Sequence, residues 1–142
     1  MPRKSRKFPY GVLLESVYNM ASPIISERSF EFARRIVKLC ERLWNRGLAA
    51  RKVADQLFDS GTSIGANAAE SRGGQTKPDF LAKLAIARKE SWETIFWLRL
   101  AIASEIVTKE EVAWELDEAQ QLRAMITQAI KTGQSSSWRG GS

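Results

Sequence analysis

The chain predicts an all-α fold, an antiparallel up-down four-helix bundle. Three observations carry this. Apolar residues recur at i, i+3, i+4 and i+7 through four segments, the links between segments are short, and no stretch alternates with the period-two pattern of a strand. At 142 residues the chain is one domain's worth, long enough to bury roughly 68–70% of the surface its unfolded form exposes.

Residues 1–25 read as a basic arm. Arg3, Lys4, Arg6 and Lys7 stand beside Pro2 and Pro9, and Val12-Leu13-Leu14 with Val17-Tyr18 predicts one short helix ended before Pro23. The bundle is assigned to residues 26–132. Its first helix is expected to open at Ser29 as N-cap and to stop at Asn45-Arg46-Gly47, with Gly47 as a left-handed C-terminal cap. Phe30, Ala33, Ile36, Val37, Cys40, Leu43 and Trp44 mark its apolar side. The second runs from about Ala49 to Ser71, with Val53, Leu57, Gly61, Ile64 and Ala68 as the inner row. Gly61, Thr62, Ser63 and Gly65 are poor helix formers, so packing must hold this helix; a break near Ser60-Gly61 is the alternative.

Arg72–Lys77 is a loop, after which Pro78 suits the first helical position, with Lys77 or Thr76 before it and Asp79 in the first turn. The third helix then reaches about Glu105. Thr108-Lys109-Glu110-Glu111 reads as a T-x-x-E capping box opening the fourth, which turns Val112, Leu116, Ala119, Leu122, Ile126 and Ile130 inward. Residues 133–142 are Gly/Ser-rich and expected to be a disordered tail.

Composition narrows the chemistry. Lys plus Arg number 22 against 16 Asp plus Glu, a net charge of +6, and histidine is absent. Ser-His and Cys-His nucleophile pairs, imidazole metal ligands and the Glu-x-x-His pairs of di-iron bundles are thereby excluded. The lone Cys40 permits no internal disulfide and no CxxC site; among Ile36, Val37 and Trp44 it reads as a small buried hydrophobe. Ser60, Thr62 and Ser63 have no base near them, and Gly73-Gly74 lacks the Gly-Lys-Ser/Thr of a phosphate cradle. No catalytic residue, metal or cofactor is expected, so the chain reads as a non-enzyme. Without a membrane-length apolar run or a signal-peptide core, no membrane partner is expected and the location reads as cytoplasmic.

Charge and aromatic placement supply the candidate sites. Arg34, Lys38, Arg42 and Arg46 recur every four residues opposite Val37, Cys40 and Trp44, with Arg35 beside them and Arg51 and Lys52 after the turn. Such a stripe can track phosphates, with the Arg3–Lys7 arm adding reach; an ordinary solvated face, diluted by Glu31 and Glu41, is the plain alternative. No base-reading motif occurs, so nucleic-acid binding would be electrostatic and sequence-tolerant. The third helix carries Trp92, Phe96, Trp97 and Leu100 beyond the one stripe a core needs, which predicts a subunit interface; a wide core is the alternative. Arg88 and Arg99 fall on or beside its apolar face, as Arg123 does on the fourth helix. They predict a buried polar network with Glu70, Glu115 or Asn67, or alternatively a ligand or phosphate pocket.

The segment Ser60–Gly74, SGTSIGANAAESRGG, followed by QTKPDFLAKLAIARKESWETIFWLRL, resembles the bacterial four-helix bundle proteins named after reading frames inside intervening sequences of 23S ribosomal RNA. Ser29-Phe30 and Arg35-Ile36-Val37-Lys38-Leu39 share the pattern, and coverage runs from about Ile24 to Lys131. The glycine- and serine-rich helix, the GGQ-x-K-x-DF turn and the WLRL end occur together in order; Pro78 stands where the family often has another lysine. The resemblance implies a left-handed bundle that assembles into a ring, typically a pentamer, with no catalytic residue and an RNA-associated role. More distantly, the chain is similar to accessory proteins of diversity-generating retroelements, which implies nucleic acid and a reverse transcriptase as partners.

The expected function is a non-enzymatic, ring-forming bundle that binds structured RNA or another nucleic acid through basic helix faces. The alternative is a protein-interaction scaffold or accessory subunit for a nucleic-acid enzyme, such as a reverse transcriptase or an RNA-processing enzyme. A bundle-core ligand binder resting on Arg88 and Arg99 comes third.

Overall fold

The computed structural model describes residues 12–73 and 76–135. It holds four helices: α1 (Val12–Trp44), α2 (Leu48–Arg72), α3 (Lys77–Ala103) and α4 (Ala113–Ser135), and no strand occurs among the described residues. Contacts across each pair show how the helices run. Cys40 Sγ on α1 donates to the Ala54 carbonyl on α2 at 3.3 Å, while farther down Gly61 lies on Ile36 and Gly65 on the Ser29 carbonyl. Thr94 donates to the Ser60 hydroxyl at 3.0 Å and Lys83 pairs with Glu70 at 2.7 Å, which orients α3 against α2. Gly133 meets Leu81 and Arg123 stacks on Trp92, orienting α4 against α3. Arg46 meets Glu111 and Arg28 meets Glu118, so α4 also runs opposite to α1. Each helix packs on its sequence neighbour and α4 closes onto α1, an up-down cycle and the expected all-α bundle.

The core uses the predicted inner row of α2, but on α1 the buried side is rotated from the predicted one. Ile36, Cys40 and Leu43 are buried as expected and Phe32 and Leu39 join them, while Ala33 and Val37 are half-buried and Phe30 and Trp44 face outward. Phe32, Ile36, Leu39 and Leu43 of α1 meet Leu57 and Ile64 of α2, Leu98 of α3, and Leu122 and Ile126 of α4, all fully buried. The inner row foreseen on α2 is buried throughout, and the helix is unbroken. Its polar residues are reconciled with the helix locally: the hydroxyls of Ser60, Thr62 and Ser63 each donate to the carbonyl four residues earlier. Thr76 caps α3 by accepting the Asp79 N–H at 3.2 Å, with Pro78 inside the first turn where its missing N–H costs nothing.

Three boundaries differ from expectation. The first helix does not open at Ser29, because α1 is continuous from Val12 with Pro23 inside it. Ser29 is interior and buried, its hydroxyl donating to the Ser26 carbonyl at 3.2 Å instead of capping. The turn after Pro23 is held by tertiary contacts, with Ile25 in the core and Arg28 bonded to Glu118, which compensates for the backbone bond that proline removes. The fourth helix starts later than the capping box suggested. Thr108 does accept the Glu111 N–H at 3.1 Å, but 109–112 are turns and the Glu111 carboxylate turns to Arg46. At the other end α4 continues through Gly133, which is buried, to Ser135; positions 136–142 of the expected tail lie outside the described residues. Gly47 is not the left-handed cap of α1: α1 ends at Trp44, and Asn45 and Arg46 form a turn. Gly47 is instead the N-cap of α2, at φ 111° and ψ −177°, a region that glycine alone enters readily.

The α1–α2 contact is close enough to be tested by single methyl groups. A Cβ on Gly61 would come within 2.8 Å of Ile36 Cγ2 and 3.2 Å of its Cβ, a branched side chain with little room to yield. A Cβ on Gly133 would meet chiefly Leu81 Cδ2, the far end of a flexible side chain. Overpacking typically costs about 1–3 kcal/mol, against a gain of roughly 1 kcal/mol from replacing a helical glycine by alanine. Chemical denaturation is therefore expected to show Gly61→Ala less stable than wild type and Gly133→Ala equal to it or more stable.

Candidate nucleic-acid interface

The basic stripe of α1 is present, but its members divide between two settings. Arg28, Arg35 and Arg42 recur at heptad spacing on the side of α1 that faces α4, where Glu118, Glu115 and Glu111 come up in reverse order. Arg28 bonds both carboxylate oxygens of Glu118 and Gln121 Oε1. Arg35 reaches Glu115 at 3.5 Å and lies 4.2 Å over the Trp114 ring. Arg46 grips Glu111 with two bonds, 2.6 and 2.8 Å, and also donates to the Ile106 carbonyl; Arg42 stands 3.7 Å from the same carboxylate. What reads in sequence as one stripe is thus largely an inter-helix ion-pair ladder. Arg28 and the acidic half of the ladder went unread in the sequence; the available signal is the spacing of Glu111, Glu115 and Glu118 opposite Arg42, Arg35 and Arg28 of an antiparallel α1.

Arg34 and Lys38 lie at the outer corner of α1 and pair only within it, with Glu31 at 2.6 Å and Glu41 at 3.5 Å. Past the turn, Arg51 folds back, its Nε donating to the Trp44 carbonyl at 2.8 Å, while Lys52 is exposed on α2. Arg3, Lys4, Arg6 and Lys7 lie outside the described residues. Glu111 carries the clearest electrostatic signature of the ladder. Its bond from Arg46 holds the carboxyl below its ordinary 4.5, with Arg42 adding to the effect and burial opposing it. A lowered carboxylate pKa stabilises the fold fully above the ordinary value, and this contribution disappears as pH falls through the lowered one.

The network expected from Glu70, Arg88 and Arg99 is not assembled. Glu70 is exposed and pairs with Lys83 on the α2 side of α3, whereas Arg88 and Arg99 fall on the side of Trp92, which faces α4. Arg99 is exposed and Arg88 half-buried. Asn67 instead donates to the Ser63 carbonyl within α2. The buried carboxylate is Glu115, only 2% exposed, with Oε2 unbonded and Oε1 turned to Arg35. Arg123 places its guanidinium 4.3 Å over Trp92.

The aromatics assigned to an interface stand largely free of the core. Trp92 and Phe96 are 55% and 56% exposed, and Leu100 is exposed as well; Trp97 is half-buried, edge-on to Phe96 with ring centroids 5.1 Å apart. Cys40 is buried, and that burial, with Asp55 and Asp59 adding, pushes its thiol up to about 12, so no thiolate is available near neutral pH. Among the described residues no three His, Cys, Asp or Glu side chains gather as a metal site, and no helix is long and apolar enough to cross a membrane.

A family model, 23S rRNA-intervening sequence protein, matches residues 22–128. The chain belongs to this family. A solved structure of a family neighbour agrees: a Bacteroides thetaiotaomicron protein described as of unknown function from the S23 ribosomal protein family. It is 36% identical, with a TM-score of 0.72 over 79% of this chain and 99% of its own. Among curated proteins none matches.

The ladder predicts an asymmetry between neighbouring arginines. Arg35→Ala strands the buried Glu115 and is expected to cost roughly 1–3 kcal/mol; Arg34→Ala, losing only an exposed pair within one helix, is expected to cost under about 0.5 kcal/mol. Adding Glu115→Leu to Arg35→Ala removes the stranded charge, so urea titration is expected to show the double variant more stable than Arg35→Ala alone.

Proposed function

We propose that this protein is a non-catalytic bundle that acts in the cytoplasm, associates with copies of itself into a ring, and binds RNA through the cationic side of α1. One observation carries the RNA reading. Arg34 and Lys38 keep 55% and 59% of their side chains in water, each paired only with an exposed carboxylate of its own helix. Exposed ion pairs contribute only about 0–1 kcal/mol, so a phosphate can replace the carboxylate at little cost. The net charge of +6, multiplied by association, strengthens the field that draws a polyanion. The family's name makes 23S ribosomal RNA the polyanion to test first. The exposed aromatic strip of α3 supports self-association, and a pentameric ring is what the family resemblance implies.

Arg34→Glu with Lys38→Glu alters this surface without touching an inter-helix contact. Fluorescence anisotropy with a 23S rRNA fragment is expected to show affinity that falls steeply with salt, and roughly tenfold or greater weakening in the double variant, because each phosphate contact contributes about 0.7–0.9 to the salt slope. Unchanged affinity and unchanged slope in a correctly folded double variant overturns the reading.

A further inference from the structure

Two exposed apolar strips run along opposite edges of the bundle. Among the described residues, unpaired carboxylates stand beside the first, with Arg51 5.4 Å over the Trp44 ring, and unpaired arginines beside the second, with Glu93 bonded to Trp97. The helices pack in the cycle α1, α2, α3, α4, so the α1/α2 edge lies across the molecule from the α3/α4 edge. On the first edge Phe30, Val37 and Trp44 recur at heptad spacing beside Phe58 of α2; Phe30 is 73% exposed and Trp44 and Phe58 are nearly half exposed. Between Trp44 and Phe58 opens a groove of about 370 Å³, with Val37, Cys40 and Ala54 along it and Glu41, Asn45 and Asp55 at its rim. Asp55, and Asp59 one turn further, have no cationic partner among the described residues. The far edge presents Trp92, Phe96 and Leu100 of α3, flanked by Arg88 and Arg99, which have no carboxylate partner among the described residues. Both strips are about 21 Å long at ordinary helical rise, one from Phe30 to Trp44 and the other from Ile86 to Leu100.

The geometry points to a second copy of this chain as the occupant of the groove: Trp92 and Phe96 of one copy enter between Trp44 and Phe58 of the next, carrying Arg88 and Arg99 to Glu41 and Asp55. Aromatic side chains with arginine are the composition that interface centres favour. The acidic rim of Glu41 and Asp55 disfavours RNA in the groove and favours the strip flanked by Arg88 and Arg99. Such a contact is heterologous, each copy using one edge to donate and the other to receive, the kind of association that closes into rings. It rests on the reading that the chain self-associates, and adds which edges meet. The ion-pair ladder between α1 and α4 lies on neither edge, so the cationic side of α1 stays open to RNA.

The pairing is tested with two interface variants of the full chain, Phe58→Asp for the groove and Trp92→Asp for the strip. Both positions are exposed, and circular dichroism checks that each variant keeps the helical fold. Size-exclusion chromatography with light scattering is expected to give an oligomer for wild type and a monomer of about 16 kDa for each variant alone. An equimolar mixture is expected to form a dimer of about 32 kDa, since the intact strip of one variant can dock in the intact groove of the other. A third variant, Asp55→Arg, is expected to weaken wild-type assembly at least tenfold, and combining it with Arg99→Glu to recover most of that loss. Wild-type oligomers in either single variant, or a mixture that stays monomeric, overturn the pairing while leaving self-association standing. A wild type that is monomeric at micromolar concentration overturns both.

Discussion

The bundle depends on how closely α2 lies on α1. Gly61 gives Ile36 the space its branched side chain fills, and Gly65 lets the helix come down on the backbone carbonyl of Ser29. A helix so rich in glycine and hydroxyl residues has little intrinsic tendency to form, and is stable because its inner row is buried against neighbours that only small residues can approach. The same closeness shapes the outside. Because α1 and α2 approach this tightly, Trp44 and Phe58 flank one shallow groove instead of standing on separate helices. Packing inside the bundle and the surface offered at its edge therefore have one cause.

α1 works on three sides at once. One side fills the core with Phe32, Ile36, Leu39 and Leu43. A second carries Phe30, Val37 and Trp44 to the groove edge. The third sets Arg28 and Arg35 against carboxylates of α4, and Arg42, with Arg46 just past the helix, against Glu111 in the turn before it. These ion pairs align α4 on α1. The arginines keep 35–46% of their side chains in water while the carboxylates are mostly covered, and on buried Glu115 removing the cation strands a charge. Arg34 and Lys38, whose exposed pairs can give way to phosphates, suit electrostatic RNA binding. They supply no pattern of donors and acceptors for reading bases.

Much of this was legible in the sequence. Periodicity located all four helices, and the inner row of α2 was read residue by residue because burial on a helix follows its spacing. The exposed aromatics of α3 were found as a surplus over the stripe a core requires. What stayed hidden depended on which side of a helix faces which neighbour. Arg88 and Arg99 look like core arginines beside Glu70 in a linear reading, yet α3 turns them toward α4 and Glu70 belongs to α2. Arg42 and Arg46 looked free because their shared partner, Glu111, lies far along the chain in the turn before α4. Pro23 looked like a stop, and only tertiary contacts to Ile25 and Arg28 explain why α1 passes through it.

The central claim is that α1 separates an apolar edge for copies of the chain from a cationic side left open. Hydroxyl-radical footprinting across a protein dilution series, read residue by residue by mass spectrometry, tests it most directly. The account predicts that Trp44 and Phe58 become protected at the same concentration as Trp92 and Phe96, while Trp114, beside the ladder, keeps its reactivity throughout. Protection of one aromatic pair without the other, or of Trp114 together with them, contradicts it.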